Sequence, residues 1–148
     1  MIFTGAILIA PWTAQALGDK RIWQVGYYGA YALVCIMLMG LALTWWARIH
    51  LGRLWSSAIT RKEEHRLVET GPYGYMRHPI YTGLIIALLA TSASEETLVA
   101  VFGAVLIALG LWVKARIEEH FLLSELGPEA YARYRCRVPM LVPFLPHR

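Results

Sequence analysis

Gly71-Pro72-Tyr73-Gly74-Tyr75-Met76-Arg77-His78-Pro79-Ile80-Tyr81-Thr82-Gly83 is the densest polar and aromatic cluster in a largely apolar chain. It stands where a basic connecting segment ends and an apolar run begins. Gly71-Pro72 is a turn signal. His78 precedes a proline and is biased towards extended backbone, while Pro79 suits the first position of a helix. The stretch therefore predicts a loop that feeds a membrane helix, with its polar side chains at the helix mouth.

Composition sets the environment. The chain has 148 residues, of which 57% are hydrophobic, and its mean hydropathy is +0.47. A soluble domain of this size could not hide so much apolar surface, which predicts an integral-membrane protein. The net charge of +4 points to cytoplasmic loops and anionic headgroups. It does not point to nucleic acid, since no nucleic-acid-binding motif accompanies it. Cys35 and Cys136 are far apart and give neither a disulfide framework nor a zinc spacing. The histidines also lack ligand spacing, so no metal site is expected.

Outward from the quoted stretch, residues 79–91 and 97–115 read as a helical hairpin around the acidic outer turn Ser92-Ala93-Ser94-Glu95-Glu96. The first leg is short for a full span. Ala100, Ala104 and Ala108 form a row, with Gly103 beside it, that suits tight helix packing. Residues 22–47 are the most secure membrane helix, closed by Trp45, Trp46, Arg48 and His50 at an interface. Residues 1–17 lack a basic leader and contain Pro11, which predicts a short or kinked first membrane helix, or alternatively an interfacial helix, and no signal peptide. The basic segment 48–78 belongs in the cytoplasm. Residues 116–135 predict a charged amphipathic helix broken near Gly127-Pro128. A proline-broken apolar tail follows, which either lies on the membrane or covers the site. The expected fold is an all-α polytopic bundle of about four membrane helices in one domain, residues 1–148. The hairpin would return Glu118-Glu119 to the membrane face that carries Arg77-His78, making a pocket there.

The motif Arg77-His78-Pro79-x-Tyr81-x-Gly83, preceded by His65-x-Leu67-Val68-x-x-Gly71-Pro72-Tyr73, resembles the signature of isoprenylcysteine carboxyl methyltransferases and the related phospholipid methyltransferases. A second block agrees in order: Arg116-x-Glu118-Glu119, Tyr131-x-x-Tyr134 and Val138-Pro139. The resemblance covers residues 50–145; Gly74 departs from it, because many relatives carry a basic residue there. It implies an S-adenosyl-L-methionine-dependent membrane methyltransferase. It further implies that His65, Leu67, Val68, Tyr73, Arg77, His78, Tyr81, Glu118 and Glu119 bind the cofactor, with Arg116 and Glu119 serving the chemistry.

No Gly-x-Gly follows a strand, so the cofactor would be held by loop and helix ends. Free N–H groups near Ile80 to Thr82 suit a carboxylate. The rings of Tyr73, Tyr75 and Tyr81 suit adenine or a sulfonium. Glu118 or Glu119 suits an amino group or a ribose hydroxyl. A carboxylate acceptor is already ionised at neutral pH and needs alignment and dehydration more than a base, with Arg116 as its bidentate partner. An amine acceptor would need deprotonation. The residues leave that choice open, and they leave open which partner takes which group. Taken singly, Tyr131 and Tyr134 read as packing residues, Glu63-Glu64 as a solvated face, and His50 and His120 as interfacial. Two other readings share the scaffold: an NADPH-dependent enzyme resembling sterol reductases, and a non-enzymatic membrane subunit. The expected partners are a lipidic or amphipathic acceptor and membrane lipids, and the apolar surface is compatible with a homodimer.

Overall fold

A computed structural model describes residues 21–52, 68–125 and 128–143. These form four α-helices: α1 (Tyr27–Leu51), α2 (Pro79–Ser94), α3 (Leu98–Glu125) and α4 (Pro128–Arg137), with a 3-10 turn at Gly71–Gly74 before α2. No strand occurs among the described residues. The helix expected at residues 1–17 lies outside them. The chain divides into two compact units, Met1–Ala42 with Gly83–Trp112 and Leu43–Thr82 with Val113–Arg148.

In the first unit, α2 and α3 make the expected hairpin. Its outer turn is not a solvated acidic tip. Glu96 is 7% exposed and its backbone is left-handed, with φ +58°. Its carboxylate accepts from the Val25 N–H at 2.6 Å and from Arg21 at 3.1 Å. Its carbonyl accepts from the Ile22 N–H at 2.9 Å, and the Trp23 indole donates to Ala93 O at 3.0 Å. Residues 22–26 are therefore non-helical chain docked on the turn. This is why α1 begins at Tyr27 and not at 22, as hydropathy suggested. Thr97 starts α3 by accepting the Ala100 N–H on its hydroxyl at 3.3 Å. Ala100 and Ala104 are 1% and 0% exposed and Ala108 is half-buried, so the first two members of the small-residue row are buried against protein.

Gly40 brings the backbone of α1 close to that of α2. A Cβ built there would lie 2.6 Å from Gly83 O and 2.8 Å from Ala87 N. These are backbone atoms and cannot swing aside, so the contact depends on a bare Cα. Gly40→Ala is expected to force the helices apart and cost about 1–3 kcal/mol. The fraction of monodisperse protein that survives a heating series in detergent reads this directly.

In the second unit, the start of the quoted stretch is locked onto the end of α1. Gly71 adopts φ +58°, which favours glycine, and a Cβ there would be 2.7 Å from the His50 ring and would have to displace it. His50 Nε2 is 2.9 Å from the Thr70 hydroxyl, and its ring stacks on Tyr73 at 6.4 Å. Tyr131, Tyr134 and Val138 form a buried cluster backed by Leu122 and Leu123. This fixes α4 on α3, while Arg133, Arg135 and Arg137 of α4 are exposed. Tyr131 and Tyr134 are thus the packing residues that the sequence suggested.

α1 and α3 are long and apolar enough to cross a membrane, and α2, with 16 residues, is shorter. The outer surface of α1 suits lipid, since Tyr28 is 88% exposed and Trp45 68%. Tyr27, Tyr28 and Tyr31 cluster edge to face at one end of this helix, and Trp45 and Trp46 stand at the other. This is the distribution of interfacial aromatic belts.

Candidate active site

The site is built entirely within the second unit, where the α2 mouth meets the second half of α3. Pro79 opens α2, and the first intrahelical bond runs from the Thr82 N–H to His78 O at 3.0 Å. Thr82 is therefore already bonded, and Ile80 and Tyr81 carry the N–H groups ahead of it. His78, Glu118 and Tyr81 then converge. The Tyr81 hydroxyl donates to Glu118 Oε1 at 2.6 Å, a short charge-assisted bond. The His78 ring stacks on Tyr81 at 5.6 Å with 12° between planes, and its Nδ1 lies 3.8 Å from Glu118 Oε2.

The neighbouring carboxylate does different work. Glu119 Oε1 accepts from Arg77 Nε at 2.7 Å, and the two side chains are 5% and 8% exposed. Arg77 Nη1 also donates to Arg135 O at 2.9 Å and Val138 O at 3.0 Å. The guanidinium is thus engaged by protein on two edges. The Arg77 and His78 N–H groups donate to Pro139 O at 2.9 Å and Met140 O at 3.0 Å. The Thr82 hydroxyl donates to Leu141 O at 2.6 Å. Tyr134 donates to Tyr73 O at 2.7 Å, and Arg137 pairs with Glu69. Of the two arrangements open to the proline-broken tail, residues 138–141 adopt the second: they strap the mouth of α2. Burial, with a smaller contribution from the Glu118 charge, pushes the Tyr73 phenol up to about 12. Burial also raises the phenols of Tyr131 and Tyr134. These groups stay protonated donors at neutral pH and cannot act as bases.

The structure brings Arg77, His78, Tyr81, Glu118 and Glu119 together as the hairpin argument required. Tyr73 is buried and Val68 is partly buried. His65 and Leu67 lie outside the described residues. Arg116 is exposed and, at roughly 100° per residue, falls on the flank of α3 opposite Lys114 and Glu118. It is therefore not brought to the Tyr81 stripe. The strap carbonyls and Lys114, whose Nζ sits 5.7 Å from the Tyr81 ring centroid, were missed. A carbonyl acceptor carries no residue-type signal, but a lysine at the inner end of an apolar span does.

The model of the isoprenylcysteine carboxyl methyltransferase (ICMT) family matches residues 32–124. The chain belongs to this family. ICMT-family membership and the two long apolar helices together make it an integral membrane protein. The protein-S-isoprenylcysteine O-methyltransferase B of Arabidopsis thaliana is 32% identical over 134 residues, 86% of this chain and 64% of that protein. The cobalt-zinc-cadmium resistance protein CzcN of Cupriavidus metallidurans is 34% identical over 135 residues, 89% of this chain and 58% of that one. The solved eukaryotic intramembrane Ras methyltransferase ICMT shares the fold, with a TM-score of 0.65 and 24% identity over 80% of this chain and 44% of its own. The chain spans less than two thirds of the length of each.

The cofactor that the family implies can be tested against one atom. Among the described residues His78 Nε2 is buried and has no hydrogen-bond partner; Glu119 Oε1, 3.4 Å away, pairs with it only when the ring is protonated. A buried ring nitrogen left unpaired is costly and calls for a polar partner. Beside it, Glu118 keeps 22% of its side chain exposed. An orphaned nitrogen, a reachable carboxylate and two helix N–H groups suit a ligand that carries both amino and carboxylate groups.

Proposed function

We propose that this chain is a multi-pass S-adenosylmethionine-dependent methyltransferase that O-methylates a carboxylate on a lipidic or isoprenylcysteine-like acceptor. The convergence of the two sequence blocks in one buried cluster carries the reading: Arg77 on Glu119 at 2.7 Å and Tyr81 on Glu118 at 2.6 Å. S-adenosylmethionine, when bound, supplies an electrophilic methyl group on a sulfonium.

His78, Tyr81, Glu118 and the Ile80 and Tyr81 N–H groups are its proposed holders. Glu118 takes an amino or hydroxyl donor, His78 Nε2 gains the partner it lacks, and the helix N–H groups receive a carboxylate. Arg77 and Glu119 act by holding the strap and the α2 mouth in register. An acceptor carboxylate is ionised at neutral pH, so alignment and exclusion of water do the catalytic work. The site faces the cytoplasm under the excess of Arg in 48–78, four spans put the N-terminus on that side, and α4 lies at that face. The acceptor enters from the bilayer, whose lipid covers the apolar face of α1; a homodimer is compatible with that face.

Titration of the purified protein in mild detergent with S-adenosylhomocysteine, with NADPH in parallel, tests the reading. Binding of S-adenosylhomocysteine alone is expected. Binding of NADPH alone would move the chain to the reductase chemistry, and binding of neither would favour a scaffold without activity.

A further inference from the structure

Lys114 is the outlier of α3. It sits at the inner end of a helix that is otherwise free of charge from Leu98 to Val113. An ionisable group inside an apolar span is costly there unless it faces protein, water or a ligand. Lys114 is half-buried, and its ammonium lies over the Tyr81 ring at 5.7 Å, within reach of a cation–π contact.

That ring is not a neutral neighbour. Its hydroxyl is tied to Glu118 at 2.6 Å and its face is stacked on His78 at 5.6 Å. Lys114 and Glu118 are one turn apart on the same flank of α3, so one positive charge is stationed beside the proposed cofactor groups. Its electrostatic consequence is specific. Glu119 is already matched by Arg77 at 2.7 Å, but Glu118 would repel an incoming anion. A cation on the Tyr81 ring offsets that repulsion and also disfavours a protonated amine. Arg116, the cation expected to hold the acceptor from sequence, is exposed on the opposite flank.

We propose that Lys114 is the specificity-determining residue that reads the negative charge of the acceptor and restricts the site to carboxylates carried on an apolar body. The inference deepens the methyltransferase reading and rests on it. A lysine that only packs against Tyr81 or reaches for headgroups would affect stability and would not distinguish an acid from its amide.

The test is a matched pair, N-acetyl-S-farnesylcysteine and its carboxamide, titrated into the full chain in detergent. Wild type, Lys114→Gln and Lys114→Arg are compared, with S-adenosylhomocysteine titrated in each. The acid is expected to bind the wild type roughly 10-fold or more tightly than the amide. Lys114→Gln should abolish that preference and Lys114→Arg should restore part of it, while each variant still binds S-adenosylhomocysteine, which shows that it is folded. An acid preference that persists in Lys114→Gln overturns the proposal while leaving the methyltransferase reading intact. Loss of S-adenosylhomocysteine binding in wild type, with the Lys114-dependent acid preference retained, overturns that reading and leaves the anion site standing.

Discussion

Arg77→Ala is expected to lose about 3–5 kcal/mol of stability, so that its defect is a failure to stay folded before it is a failure to bind. The reason is the surroundings of the guanidinium. Removing it leaves Glu119 as a buried carboxylate with only the His78 ring, 3.4 Å away, beside it among the described contacts, and takes donors from Arg135 O and Val138 O at once. Lys at this position restores a charge but not a fork that reaches three acceptors. Arg77→Met combined with Glu119→Leu should be milder than Arg77→Ala, because both buried charges then disappear together. Size-exclusion profiles after a heating series give the ranking. An Arg77→Ala protein with wild-type thermal survival and no affinity for S-adenosylhomocysteine would make Arg77 a direct cofactor ligand instead.

The second large effect separates two adjacent carboxylates. Glu118→Gln should remain folded yet bind S-adenosylhomocysteine roughly 10- to 100-fold more weakly, the range of one charge-assisted hydrogen bond. Glu118 keeps 22% of its side chain exposed, against 5% for Glu119. Glu119→Gln should show the reverse pattern, with lowered thermal survival and the smaller change in affinity per folded molecule. Tyr81→Phe should fall between, since it removes the bond that orients Glu118 but keeps its charge. Equal loss of affinity in both Gln variants, at equal stability, would mean that the two carboxylates share the ligand.

The sequence made the hairpin and the meeting of Arg77-His78 with Glu118-Glu119 legible because both follow from local signals. Apolar runs, an acidic break and the proline at 79 set where helices start and stop, and a hairpin returns the chain to its starting face. What stayed hidden depends on partners that carry no pattern. Ile22, Trp23 and Val25 are as apolar as any helical residue, yet they dock on Glu96 and Ala93 and delay α1 to Tyr27. Glu96 itself reads as a solvent-loving residue in a turn. The division of labour between Glu118 and Glu119 comes from the roughly 100° between consecutive helical positions, which aims one at Tyr81 and the other at Arg77. The capture of the α2 mouth by the carbonyls of Pro139, Met140 and Leu141 could not be read from residue types, since every residue offers a carbonyl.

That capture also sets an order of events during synthesis. Arg77 and its acceptor at Val138 are 61 residues apart, which at ribosomal speeds is a delay of roughly 3–12 s. Glu119 is translated before Val138, so the partners of Arg77 are made in the order carboxylate, then carbonyl. Until α4 and the strap are made, the guanidinium lacks two of its three acceptors, the carbonyls of Arg135 and Val138. Arrival of the strap converts this transient into a closed assembly, which makes the segment after α4 the timer of maturation as well as a part of the wall.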